Sequence, residues 1–165
     1  MPLKRTIEKA REDRREGKSP STQAGEFVRE QIDKIRQGEH GARSTRQAIA
    51  IGLSEARRAG VKLPPPKRGS VTERTRKSAK YAYDAGQGKR KTRRRPRVSR
   101  AVSRVLQGER RSTASHAALS RHARTASARR TAAQRSAAAR KAARTKGRRG
   151  RSAAAKKAAR TRARR

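Results

Sequence analysis

The sequence predicts a mostly α-helical protein: a small helix-turn-helix-like head, marginal on its own, then a largely disordered basic tail that becomes helical on nucleic acid. Three observations carry that prediction. Apolar residues recur at helical spacing between glycine and proline stops over residues 19–63. Residues 110–165 hold 20 Lys/Arg and no Asp or Glu, with Leu119 as the one large apolar side chain. The charge is lopsided, with 17 basic and 10 acidic residues in 1–73 against 33 and 2 in 74–165.

Four segments follow in order. Residues 1–18 form a charged N-terminal segment, in which Leu3, Ile7 and Ala10 make a thin stripe on a short helix that Gly17 ends. Residues 19–66 form the helical-pair head. Ser19 or Ser21 offers an N-cap beside Pro20, a residue tolerated in the first turn. Ala24, Phe27, Val28, Ile32 and Ile35 then share one helical face, and Gly38 stops it. Ser44 and Gln47 have the spacing of a capping box, Ser at N-cap and Gln at N3. Ala48, Ile49, Gly52, Leu53 and Ala56 continue that second helix to Gly60. Pro64-Pro65-Pro66 marks the boundary.

The head has few large apolar side chains for the backbone it must order, so contacts from elsewhere are expected to complete it. Dimerisation through the head or binding to nucleic acid would supply them.

Residues 67–109 read as a basic linker with two weak helices. Ser70 and Glu73 have capping-box spacing, and a helix could run to Ala85 with Val71, Ala79 and Ala82 on its apolar face. Val98, Ala101, Val102, Val105 and Leu106 make an amphipathic turn and a half before Gly108. Residues 110–165 are the tail, where RSAAARKAARTKG (135–147) returns sixteen residues later as RSAAAKKAARTRA (151–163). Like charges at this density repel, and alanine buries little, so the tail is expected to be unfolded alone. Alanine is also the best helix former, so phosphates that screen the repulsion should bring out helix.

The composition excludes several classes of function. With no cysteine there is no disulfide or thiolate chemistry. His40, His116 and His122 have no Cys partners for a metal site, and no nucleophile–base pair stands out, so no enzyme, metal or cofactor is expected. No apolar run is long enough to span a membrane, and the alanine and serine opposite the tail's cations are too weakly apolar for insertion. Tyr81 and Tyr83 alone do not make a stacking platform for single strands.

Nucleic acid remains, because each phosphate that a cation neutralises releases condensed counterions. Arg43, Arg46 and Gln47 stand at the start of the second good helix, where Arg and Gln can reach guanine and adenine edges. Lys89, Arg90, Lys91, Arg93, Arg94, Arg95 and Arg97 form the linker cluster. Its Arg-Pro-Arg lacks the Gly-Arg-Pro continuation of an AT-hook. In the tail, the candidate phosphate contacts are Arg129, Arg130, Arg140, Lys141 and Arg144, then Arg148, Arg149 and Arg151. Lys156, Lys157, Arg160, Arg162, Arg164 and Arg165 complete the set. Arginine outnumbers lysine, which favours bidentate phosphate contacts.

Residues 21–66, STQAGEFVREQIDKIRQGEHGARSTRQAIAIGLSEARRAGVKLPPP, resemble the head of a bacterial family of small basic proteins. Its members are mostly uncharacterised and often labelled DNA-binding or plasmid-stabilisation proteins. ASHAALSRHAR (114–124) and RSAAARKAARTKG are similar to the same family's tail, and the Ala/Arg/Lys repeats are similar in kind to bacterial histone H1-like tails. The resemblance brings no catalytic residues, and together with the basic tail it leads to an expectation of non-enzymatic, largely sequence-independent DNA binding, cytoplasmic and nucleoid-associated. The alternatives are an RNA-binding or ribosome-associated protein, and a plasmid-maintenance or transcriptional regulator whose head reads sequence.

Overall fold

The structure, a computed structural model, describes residues 2–91 and 95–163, with backbone alone at 145, 146, 148 and 149. The described residues form helices and connecting segments without strands. In order they are α1 (Lys4–Arg15), α2 (Pro20–Gln37), α3 (Thr45–Arg58), α4 (Glu73–Gly86) and α5 (Pro96–Gln107). A short 3-10 turn (Ser112–Ala114) leads into α6 (His116–Ala128) and α7 (Ala132–Ala163). The chain divides into two compact units, Met1–His122 and Ala123–Arg165.

The first unit is built on the α2–α3 hairpin, with α1 against α2 and α4 against α3. The caps read in the sequence explain where its helices stop. Gly38 takes the left-handed conformation (φ 86°), and the Glu39 N–H reaches back to the Lys34 carbonyl at 3.0 Å, closing the last turn of α2. At the start of α3 the Gln47 N–H donates to Ser44 Oγ at 3.2 Å, while Gln47 Oε1 accepts from the Arg43 N–H at 2.8 Å.

Two apolar clusters lie along the hairpin. Ala10, Ala24, Phe27, Ala56 and Val61 form one, with Ile7, Leu53 and Leu63 against it. Ile32, Ile35, Ala42, Ala48 and Ala114 form the other, joined by Val28 and Leu119. Small residues let the helices meet closely: a β-carbon on Gly52 would fall 2.6 Å from the Val28 Cα. A β-carbon on Gly86 would fall 1.8 Å from the Arg57 carbonyl oxygen, so the end of α4 lies directly on α3. Arg57 itself is buried, donating to the carbonyls of Leu53, Leu63 and Pro64 at 3.2–3.4 Å, and so holds the proline segment to α3.

Several sequence expectations are corrected. The helix after the prolines is capped by Thr72, whose Oγ1 accepts from the Thr75 N–H at 3.3 Å, two residues beyond the expected Ser70. Ala79 and Ala82 are buried as expected, but Val71 is exposed because it precedes the cap. The amphipathic segment near Val102 is a full three-turn helix, α5, whose Val98, Val102 and Val105 face solvent.

The larger correction concerns the stretch expected to be disordered. Residues 106–119 fold onto the α2–α3 turn. Gly41 N–H donates to Leu106 O at 2.7 Å and Ala42 N–H to Arg110 O at 3.1 Å. Arg36 Nε donates to Ala114 O at 3.0 Å, and Thr45 Oγ1 to Thr113 O at 2.7 Å. Ala114 is fully buried. Backbone carbonyls, which composition does not report, supply most of this attachment. Further along, the tail is also helical rather than disordered: α7 runs through the alanine-rich repeats, where helix propensity is highest.

Two carboxylates, buried Glu30 and half-buried Glu55, respond to pH in opposite directions. Burial pushes the Glu30 carboxyl up, but hydrogen bonds from Lys34, Thr6 and the Leu3 N–H outweigh it and leave the group below the usual carboxylate value. The Leu3 N–H, at the head of α1, lies 3.1 Å from Glu30 Oε1, so this acid ties α1 to α2. Burial pushes Glu55 above its ordinary value, though Lys34 and a hydrogen bond from Gln31 act against the rise. Gln31 Nε2 donates to Glu55 at 2.7 Å, and the other end of that amide meets His40 Nε2 at 3.1 Å.

Two predictions follow from this packing. Gly52→Val should separate α2 from α3 and destabilise the protein by about 1–3 kcal/mol, read as a lower urea midpoint. Glu55 binds its proton more tightly in the folded state, so its burial costs stability as pH rises through its raised value. Glu30 contributes stability above the ordinary carboxylate value and loses it as pH falls through its lowered one. Thermal melts from about pH 3 to pH 8 should therefore show Glu55→Gln more stable than the parent at neutral pH, with Glu30→Gln less stable there. Both differences should shrink in acid.

Candidate nucleic-acid interface

Cations carry no binding information unless they are free to reach a partner, so placement decides which of the sequence candidates qualify. In the first unit, Arg43 and Arg46 are exposed on either side of the Ser44 cap. Arg46, Ala50, Ser54 and Arg58 then follow at four-residue spacing on one side of α3, two cations separated by small side chains. The rest of α3 is covered, by α2 on one side and α4 on another, with the 3-10 turn at its start. Its accessible strip is therefore narrow.

Gln47 makes the cap read in the sequence: its side-chain oxygen accepts from the Arg43 N–H, and its own N–H donates to Ser44 Oγ.

In the linker, Lys89, Arg90, Lys91, Arg95 and Arg97 are exposed. The Arg90 guanidinium stands 4.7 Å from the centre of the Tyr81 ring, which orients that cation and covers one face of the aromatic. Arg93 and Arg94 lie outside the described residues. Sequence reasoning also missed Arg100 and Arg104, exposed on α5 opposite its valines, because attention to the apolar stripe hid the basic one.

In the second unit, Arg129, Arg130, Arg140, Lys141, Arg144, Arg151, Lys156, Lys157, Arg160 and Arg162 are all exposed. Arg148 and Arg149 are placed by backbone within α7, and Arg164 and Arg165 lie outside the described residues. Residues 123–165 contain 17 Lys/Arg and no acid, so no carboxylate of this unit competes for them. Ion pairs among the described residues lie instead in the first unit, such as Lys34–Glu30 at 2.5 Å and Lys80–Asp84 at 2.6 Å.

Other chemistries find little to build on. Among the described residues no three His, Cys, Asp or Glu side chains gather closely enough to hold a metal ion. No described helix is long and apolar enough to cross a membrane. A cleft of about 270 Å³ between α1 and α2 mixes Glu26, Glu30 and Asp33 with Arg5, Lys9 and Lys34, so its charges of opposite sign answer one another.

Residues 3–68 match the model of DUF6496, a family of unknown function. The match spans α1 to α3 and the proline segment, and leaves α4 onward outside it. No curated protein and no solved structure matches the chain.

The role of Gln47 can be checked directly. Gln47→Ala should lower stability by about 0.5–1 kcal/mol through loss of the reciprocal cap, read as a lower urea midpoint. Arg46→Ala at the neighbouring exposed position should leave that midpoint near the parent's.

Proposed function

We propose that this protein is a non-enzymatic nucleic-acid-coating protein that binds duplex DNA by phosphate neutralisation, largely without regard to base sequence. In this reading it is associated with the nucleoid of a bacterial cell. The observation that supports it is the series of cations over residues 123–163, exposed wherever their side chains are described, with no acid in the sequence of that unit. The opposed charges of the first unit mark it as the part that folds, and the exposed Arg46–Arg58 strip and linker cations add contacts to the same polymer.

The sequence-independent form of this reading is supported by the exposed groups themselves: Gln47 takes part in a cap, Tyr81 lies under Arg90, and the described cations are arginines and lysines suited to phosphate. Most described side chains of α7 are exposed, so its helicity leans on alanine propensity and should strengthen when phosphates screen its charges.

Affinity measured against salt tests the proposal. With about ten phosphates engaged, log Kd should change with log salt at a slope of roughly nine. A protein ending at His122, which retains the first compact unit, should bind duplex DNA more weakly and with less than half that slope. Equal affinity and equal slope for the shortened and intact proteins would reject the reading. In competition among duplex DNA, duplex RNA and single strands, duplex DNA should win; a preference for structured RNA would overturn the choice of partner.

A further inference from the structure

The α7 helix is not one uniform rod. At Gly147 its backbone leaves the helical region for φ 63°, ψ 178°, a conformation essentially restricted to glycine. Gly147 is where the described backbone of α7 leaves helical dihedrals, and Gly150, three positions on, has no positive φ. Nothing lies within 4 Å of where a Gly147 β-carbon would stand, so no neighbour forces the break. It belongs to the glycine.

The break falls at the junction of the sequence repeat. The two copies, 135–147 and 151–163, differ at three positions of thirteen. Two of the differences exchange one cation for another, Arg140 for Lys156 and Lys146 for Arg162, so every charge is preserved. The third is Gly147 itself, which stands where the second copy has Ala163. Five cations thus recur in the same register in each half. In each, a pair four residues apart (Arg140 and Arg144, Lys156 and Arg160) shares one helical side, and the opposite side mixes alanines with Arg135 and Lys146, or with Arg151 and Arg162.

We propose that α7 is two equivalent phosphate-binding arms joined at Gly147, which engage one double-stranded polyanion bivalently. The inference rests on the function proposed above and adds the geometry of the contact. A straight 32-residue helix would extend about 48 Å. That exceeds the roughly 34–36 Å of one duplex turn, so the phosphate path would wind away from any one side of a straight helix. Each half, about 22 Å long, can follow its own part of that path if the junction bends. Once one arm is bound, the second meets phosphate at a high effective concentration, and that gain needs no further contact type.

The test compares full-length protein with Gly147→Ala and Gly150→Ala, on a duplex of about 40 base pairs and on a hairpin-closed duplex of about 7, which holds one arm. Neither substitution changes charge. Gly147→Ala favours continuous helix at the junction, whereas Gly150→Ala raises helix propensity and leaves the junction intact. On the long duplex Gly147→Ala should raise Kd about tenfold or more, with Gly150→Ala near the parent, and on the short duplex all three should agree. Equal affinity of Gly147→Ala and parent on the long duplex would overturn the two-arm arrangement while leaving the function reading intact. An equal loss on both duplexes would do the same, since it would mark a general defect. Failure of the parent to bind the long duplex at about 0.1 M salt would remove the function reading, and this inference with it.

Discussion

The approach of two backbones at Val28 and Gly52 is the constraint on which the folded unit depends. With no side chain on Gly52, α3 lies close enough to α2 for Phe27 and Ile35 to be fully buried by small neighbours such as Ala24, Ala48 and Ala56. A chain with so few large apolar residues can reach dense packing only in this way, by bringing main chains together. The same device recurs at Gly86 on Arg57 and at Gly41 on Glu109, so the unit is held by glycine-mediated contacts at three places.

Close packing also settles how polar groups are used. Arg57 has no carboxylate partner in its surroundings and is satisfied by three carbonyls, which leaves its charge in the interior with desolvation holding its pKa down. Glu30, Lys34 and the head of α1 form a mutually satisfied group. Acids of the first unit such as Asp13 and Glu30 are thus drawn into its architecture, and residues 123–165 carry cations without acids. Fold and charge distribution are two aspects of one division of labour along the chain.

How much of this could be read beforehand depended on distance along the sequence. Ser44 and Gln47 stand three residues apart and carry their pairing in their identities, and Gly38 announces a left-handed stop. The helices α1 to α3 were legible for that reason. The attachment of residues 106–114 was not, because Gly41, Ala42, Arg36 and Thr45 bind main-chain carbonyls that any residue could provide. Ala114 is buried while chemically identical to the exposed alanines after it, so nothing local distinguishes them. The tail's composition pointed two ways at once, to charge repulsion and to strong helix propensity, and the structure follows propensity. The cationic candidates were legible as a class, and so was the capping role of Gln47.

The main-chain bonds from Gly41 and Ala42 to Leu106 and Arg110 have a consequence for biosynthesis. During translation the hairpin emerges well before the segment that covers its turn, so a nascent chain carries an unfinished edge while the intervening residues are still being added. Helices form within about a microsecond, whereas adding the intervening residues takes seconds. The window between the two is when the young polypeptide is most open to proteases and chaperones, and its length is set by the rate of the ribosome.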